Sequence, residues 1–466
     1  MKFRIITILI ITLLCVEKAK SQFTQDMFDE ITEFVETERK AYSIPNVVVG
    51  ITNSEGTIYL NNFGNGEIDD LYLIGSNSKS FTALGILILQ QKGLLDINNP
   101  VKNYLSWFKY EKPGQSDRVT VKDLLNQTSG IPKKLGMSKP GSIEEFQQLL
   151  KQISPQNGSI GKFEYSNLNY QLLGLIIEKV SKRKYAEFLK EEVLSPLNMS
   201  KTFATYNETV QNGLIPSYQY LLYYPFLPKS INFQNYEVPS GFISTTTEDM
   251  GHYLRSLINS KNSMQNSIFD QNITDQLFKP GTEKNFSYGM GWYVIRNWKG
   301  YEMYIHGGQT QSFSSSMQII PKLGVGIIIM SNINNESTVN NMAFAISRIL
   351  AEKERTEYSK TNFYLMQSIP FIALLILLVL FFRLKRWIKL KFPIGINKRV
   401  LPNIWLLSGL GFGLFWVIYF PIAFSTPLMA IVDYEPSSGY SIIMVTIGII
   451  LNSILAYFNK TRKNLS

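Results

Sequence analysis

The chain reads as an α/β protein in which one antiparallel sheet, flanked by helices, is assembled from both ends of an exported body. A helical region is inserted within that body, and three transmembrane helices follow it. Three observations predict this. Strand-like runs cluster near residues 47–63 and 291–331, with helical patterns between them. A basic and then apolar stretch opens the chain. Three apolar runs of bilayer length lie beyond residue 360.

Composition narrows the class first. Of 466 residues, 45% are hydrophobic and 18% charged, which excludes a disordered or low-complexity chain. The net charge of +10 is unevenly spread. Residues 1–21 carry Lys2, Arg4, Lys18 and Lys20 against Glu17, and residues 361–466 carry ten cations against Asp433 and Glu435. Between them, residues 22–360 are nearly neutral at −1. The basic balance therefore reports membrane topology and argues for no nucleic-acid partner.

At the N-terminus, Lys2 and Arg4 precede the apolar run Ile5 to Val16 and the pattern Ala19-Lys20-Ser21. This is the form of a secretory signal at residues 1–21, cleaved before Gln22. The competing reading is an uncleaved anchor, for which the run is short. Cys15, the only cysteine, follows Leu14 and no small residue, which argues against lipidation. Cleavage would leave the body without disulfide or thiol chemistry.

In the body, Met27, Phe28, Ile31, Phe34 and Val35 recur at helical spacing. Val47 to Ile51 and Thr57 to Phe63 form a hairpin across the turn Asn53-Ser54-Glu55-Gly56. Ser142-Ile143-Glu144-Glu145 is a capping box. Helical patterns run from Asn169 to Lys182, Tyr185 to Leu194 and Thr247 to Asn259. Four strands follow, at Gly291 to Asn297, Tyr301 to His306, Phe313 to Ile320 and Val325 to Ser331. The aromatic-rich segment 215–242 is expected to pack on its own domain, the alternatives being the lining of a cleft and contact with the bilayer surface.

Beyond residue 360, helices at about 363–382, 404–424 and 440–458 are expected to span the bilayer, making residues 361–466 a membrane anchor. Seven cations and no acid separate the first two, and only Asp433 and Glu435 separate the second and third. The positive-inside rule then sets residues 22–360 outside the cytoplasm and the C-terminus inside it. That agrees with the signal segment.

The chemistry centres on Ser76. Leu73-Ile74-Gly75-Ser76-Asn77-Ser78-Lys79 ends a short strand and opens an almost wholly apolar helix, Phe81 to Leu89, which must be buried. Ser76 thus lies at a helix N-terminus that favours developing negative charge. Lys79 is three residues on, within reach of the Ser76 hydroxyl. Desolvation lowers a lysine's proton affinity and equips it as a base. Ser-x-x-Lys alone is weak, because it recurs at Ser159/Lys162 and Ser181/Lys184 and also describes a helix cap with a surface lysine. Tyr165-Ser166-Asn167 offers a phenol and an amide, and His306-Gly307-Gly308-Gln309 follows a strand with glycines that permit close approach of a substrate. Two histidines, no cysteine in the body and no clustered carboxylates at ligand spacing argue against a metal site.

Ser76-Asn77-Ser78-Lys79, Tyr165-Ser166-Asn167 and His306-Gly307-Gly308, in that order, resemble the three motifs of the class C beta-lactamase and penicillin-binding-protein family of serine hydrolases, peptidase family S12. Leu124 to Ile131 is similar to that family's Leu-Leu-x-x-Thr-Ser-Gly segment. An exported domain of this kind followed by three helices is similar to the colibactin-activating peptidase and to FmtA-like proteins. The resemblance implies a beta-lactamase-like fold, no cofactor, and an acyl-enzyme on Ser76 with Lys79 as base. Tyr165 would relay a proton to the leaving group, with Asn167 orienting the reacting groups. The backbone amides of Ser76 and Gln309 would form the oxyanion hole, with His306 and Gly308 on the substrate strand.

One departure from the pattern is His306, where many members carry a lysine. An imidazole with a pKa of about 6.5 is only partly charged at neutral pH, so a substrate carboxylate is less firmly demanded. The expected substrate is an amide or ester near a D-amino acid, in a cell-wall or prodrug-like molecule, and the expected partner is the lipid bilayer. The alternatives are a penicillin-acylated receptor and a catalytically silent cell-wall-binding protein.

Overall fold

The computed structural model describes residues 23–352 apart from 113, 138–139, 155–158, 222, 265–266 and 282–283, together with 361–389, 411, 418, 422 and 428–462. The signal segment and nearly all of the expected second span lie outside the described residues.

The sheet closes the two ends of the body on each other. Helix α1, Gln25–Ala41, leads into β1, Asn46–Thr52, and β2, Thr57–Gly64, which pair as the expected hairpin. The short β3, Tyr72–Leu73, precedes α2, Ser78–Gln91, and α3 follows at Asn167–Ser181. A separate hairpin is made by β4, Tyr218–Leu221, and β5, Tyr224–Pro228, while β6, Ser244–Thr245, pairs with β3. After α4, Thr247–Lys261, come β7, Phe286–Tyr288, β8, Tyr293–Trp298, β9, Tyr301–Gln309, β10, Ser314–Ile320, and β11, Val325–Ser331. The seven-stranded order is β2-β1-β11-β10-β9-β8-β7, with antiparallel neighbours.

Both faces of the sheet are covered, which is why β1 and β11 read as continuous apolar runs. Val47, Val49, Ile51, Ile327 and Ile329 pack with α1 and with α5, Glu336–Leu350. Val48, Ile328 and Met330 point the other way, into a core shared with α2, α3 and α4. Helix α5 is an element that the sequence patterns above do not include. Its signal was available: Asn335 caps it, and Val339, Met342, Ala343 and Ile346 recur at helical spacing.

After the body come α6, Thr361–Lys389, α7, Leu428–Tyr434, and α8, Pro436–Arg462. Among the described residues one segment, Pro436–Ile454, is long and apolar enough to cross a membrane, and Gln367–Phe382 is a shorter apolar run. The expectation of three spans thus meets one qualifying helix, one shorter apolar run, and a middle segment of which nearly all lies outside the described residues. The aromatic segment divides its packing. Phe233 stacks on Phe242 within the body, whereas Tyr220 and Tyr223 lie with ring centroids 5.3 and 6.1 Å from Phe363 of α6. Its partners are therefore not confined to its own domain, because the hairpin edge offers rings to the helix that follows the body.

Candidate active site

Two glycines let the loop that carries Ser76 approach β9. Gly75 takes φ +53°, open to glycine at little cost, and a Cβ there would overlap the Gln309 amide nitrogen. A Cβ on Gly308 would overlap the Ile74 carbonyl and the Ser315 hydroxyl. Ser315 Oγ donates to that carbonyl at 2.7 Å and accepts from Asn77 Nδ2 at 2.8 Å, so β10 holds both sides of the Ser76 turn. Gly307 makes room for the Glu336 carboxylate. These glycines accommodate neighbouring protein atoms where the sequence suggested room for a substrate.

Ser76 sits in a single 3-10 turn, Gly75–Asn77, that runs into α2. The first turn of α2 lies wholly in the core, so Lys79 has no solvent exposure. Its Nζ is 2.9 Å from Ser76 Oγ, 2.7 Å from Asn167 Oδ1 and 2.5 Å from the Ser240 carbonyl. Burial in this apolar surround pushes its pKa well below the ordinary lysine value. A neutral amine has two N–H donors and one lone pair. In that form the two carbonyl oxygens would accept both donors, and the lone pair would be left for the Ser76 hydroxyl proton. Ser240 was not anticipated, and a backbone carbonyl 161 positions away leaves no mark in a sequence.

Tyr165 stands over this pair, hydrogen-bonded to Ser76 and with its ring centroid 5.0 Å from Lys79 Nζ. Burial raises its pKa well above the usual phenol range, so it remains a protonated donor. Asn167 opens α3 and thereby reaches Lys79. His306 is 2% exposed on β9; its Nδ1 is 2.6 Å from the Gly307 carbonyl and its Nε2 3.4 Å from Tyr288 Oη. Desolvation, with a smaller contribution from Lys79, pushes its pKa down to about 3. The ring is thus neutral at pH 7, where an exposed imidazole would be partly charged. The second histidine, His252, lies half-buried on α4 against the Leu197 carbonyl and away from this cluster.

Ser76, Tyr165, Asn167, His306 and Gln309 line one cleft of about 840 Å³; Lys79 lies beneath it, and Gly308 faces Ile74. The opposite wall was not foreseen. Ile369 of α6, residues 429–431 and 433–435, and Ser438 and Ile442 of α8 complete the cleft. This wall is tied to the body by Gln219 Nε2 to the Asp433 carbonyl at 2.6 Å, Asn334 Nδ2 to the Tyr434 carbonyl at 2.9 Å, and Ser437 Oγ to the Tyr220 carbonyl at 2.8 Å. Gln309 Nε2 in turn donates to Asn334 Oδ1 at 2.7 Å, linking the wall to β9.

A serine hydroxyl beside a buried amine, with a protonated phenol over both, is the equipment of a serine hydrolase. Residues 31–351 match the family described as Beta-lactamase, and the chain belongs to that family. It is 29% identical to Protein flp of Staphylococcus aureus strain N315 over 333 residues, 68% of this chain and 65% of the relative. It is 28% identical to Penicillin-binding protein 4* of Bacillus subtilis strain 168 over 293 residues, 56% of this chain and 62% of the relative. The chain thus spans just under two thirds of the length of these relatives. The fold is also that of an octameric penicillin-binding protein homologue from Pyrococcus abyssi, with a TM-score of 0.63, 23% identity, and coverage of 70% of this chain and 78% of the other.

Proposed function

We propose that the protein is a membrane-anchored extracytoplasmic hydrolase that cleaves an amide or ester next to a D-configured residue through an acyl-enzyme on Ser76. The observation that carries this reading is the placement of the buried Lys79 Nζ, 2.9 Å from Ser76 Oγ, 2.7 Å from Asn167 Oδ1 and 2.5 Å from the Ser240 carbonyl. In the first step Ser76 Oγ bonds to the substrate carbonyl carbon while its proton passes to Lys79 Nζ. The amides of Ser76 and Gln309 stabilise the oxyanion, each worth about 3 kcal/mol in systems of this kind. As the tetrahedral intermediate collapses, the leaving nitrogen or oxygen takes a proton through Tyr165. Water then attacks the ester, gives its proton to Lys79, and releases the acid with Ser76 restored.

Membrane attachment is supported by Pro436–Ile454 and by the exposed apolar side chains of α6, including Ile372, Leu375 and Phe382. The charge alternation around these segments supports an outside location for the body. Incubation of the full chain with a fluorescent penicillin and with N-acyl-D-amino-acid and ester substrates tests the chemistry against Ser76→Ala. Turnover lost in the variant is the expected result. Labelling without release would indicate a penicillin-acylated receptor, and neither response a silent wall-binding protein. Protease access to both ends in intact cells tests the topology, which a protected body would overturn.

A further inference from the structure

The hydrolase reading leaves open which charge the substrate carries beside Ser76. Where a cation on β9 would meet a substrate carboxylate, the residue is His306, buried and uncharged. The carboxyl group on this side is Glu336, whose pKa burial raises above the ordinary value while Asn340 and Lys79 pull it back. It opens α5 and lies against Gly307 so closely that a Cβ there would overlap Oε1. Asn340, one turn along the helix, hydrogen-bonds its carboxyl group. Lys79, Tyr165 and Tyr293 all lie within its electrostatic reach. Glu336 also lines the cleft, as do Glu237, Asp433 and Glu435, the last with a pKa that burial raises to about 7. Lys133 and Lys134, on the short helix Lys133–Met137, are lining cations from a different element.

A carboxylate presented to this face would oppose ionisation of the Glu336 carboxyl at a site partly shielded from water, which costs affinity; an ammonium group would favour the ionised carboxyl and be attracted to it. We propose that Glu336 is a specificity-determining residue that selects an aminoacyl-type amide or ester carrying a free ammonium group, and disfavours a carboxylate at the same place. This rests on the hydrolase reading and adds the charge class of the substrate.

Three chromogenic anilides on one scaffold test it with the full chain in detergent: D-phenylalanine p-nitroanilide, its N-acetyl form and its N-succinyl form. The expected kcat/KM order is ammonium, then neutral, then carboxylate, with about tenfold between the extremes. Glu336→Gln should bring the three within about threefold of each other, and Glu336→Asp should restore the order in part. Equal rates, a preference for the succinyl form, or an order that persists in Glu336→Gln would overturn the proposal and leave the hydrolase reading standing. Binding gives a readout that needs no turnover. D-phenylalaninamide should raise the melting temperature of Ser76→Ala, N-acetyl-D-phenylalanine should not, and the gain should vanish when Glu336→Gln is added. Selective binding without turnover in the wild type would support the proposal and sink the hydrolase reading instead.

Discussion

Among the copies of Ser-x-x-Lys in the sequence, the structure treats those at Ser76/Lys79, Ser159/Lys162 and Ser181/Lys184 differently. The first runs along a continuous helical turn, from the 3-10 turn Gly75–Asn77 into α2, so the side chains stand together. In the third, Ser181 ends α3 and Lys182 turns left-handed at φ +59°, which breaks the spacing that would align Ser181 with Lys184. Ser181 Oγ instead accepts the Arg183 amide at 3.2 Å. Lys162 and Lys184 are both exposed, whereas Lys79 is fully buried. The contrast teaches that spacing brings an amine within reach of a hydroxyl, while desolvation gives the amine a lone pair to use.

The largest expected effect separates the serines. Ser76→Ala should lower kcat on an ester substrate by roughly 10⁴-fold or more, while Ser159→Ala and Ser181→Ala stay within about twofold. Comparable losses at two positions would erase the distinction. Next come the lysines: Lys79→Met should cost roughly 10²- to 10⁴-fold in kcat/KM, the usual worth of a positioned base, with Lys184→Met unchanged.

The pH profile sharpens the comparison further. Because burial lowers the Lys79 pKa, its neutral form persists to lower pH than a solvated lysine would allow and is lost as pH falls through that lowered value. On the acid limb kcat/KM should therefore drop about tenfold per pH unit. His306 is neutral above a pKa of about 3, so His306→Asn should leave the midpoint of that limb in place. A midpoint in the ordinary imidazole range that moves in this variant would show His306 titrating and defeat the account. The smallest effect concerns the frame that seats Ser76. Gly308→Ala drives a methyl group into the Ile74 carbonyl and should destabilise the body by about 1–3 kcal/mol, read as a lower thermal midpoint.

Much of this is legible in the amino-acid sequence. The hairpin of β1 and β2, the strands that became β8 to β11 and the helix after Ser76 follow from periodicity and turn residues, because neighbouring positions on one element share a face. Helix α5 was legible and overlooked, and with it Glu336. The Ser240 carbonyl and the wall formed by residues 429–442 carried no comparable signal. Their roles depend on which distant segments meet, and a backbone carbonyl has no identity in a sequence.

The amino-acid sequence by itself determined the elements, the order of Ser76, Lys79, Tyr165 and His306, and the apolar character of the helix that buries Lys79. Those are local properties, written in residue type and spacing. Tertiary structure alone decided that Lys79 has two carbonyl acceptors, that His306 is uncharged, and that the segment before α8 closes the cleft. Each of these depends on excluding water by packing residues far apart in the chain, and no single stretch of sequence records how much solvent its neighbours will leave.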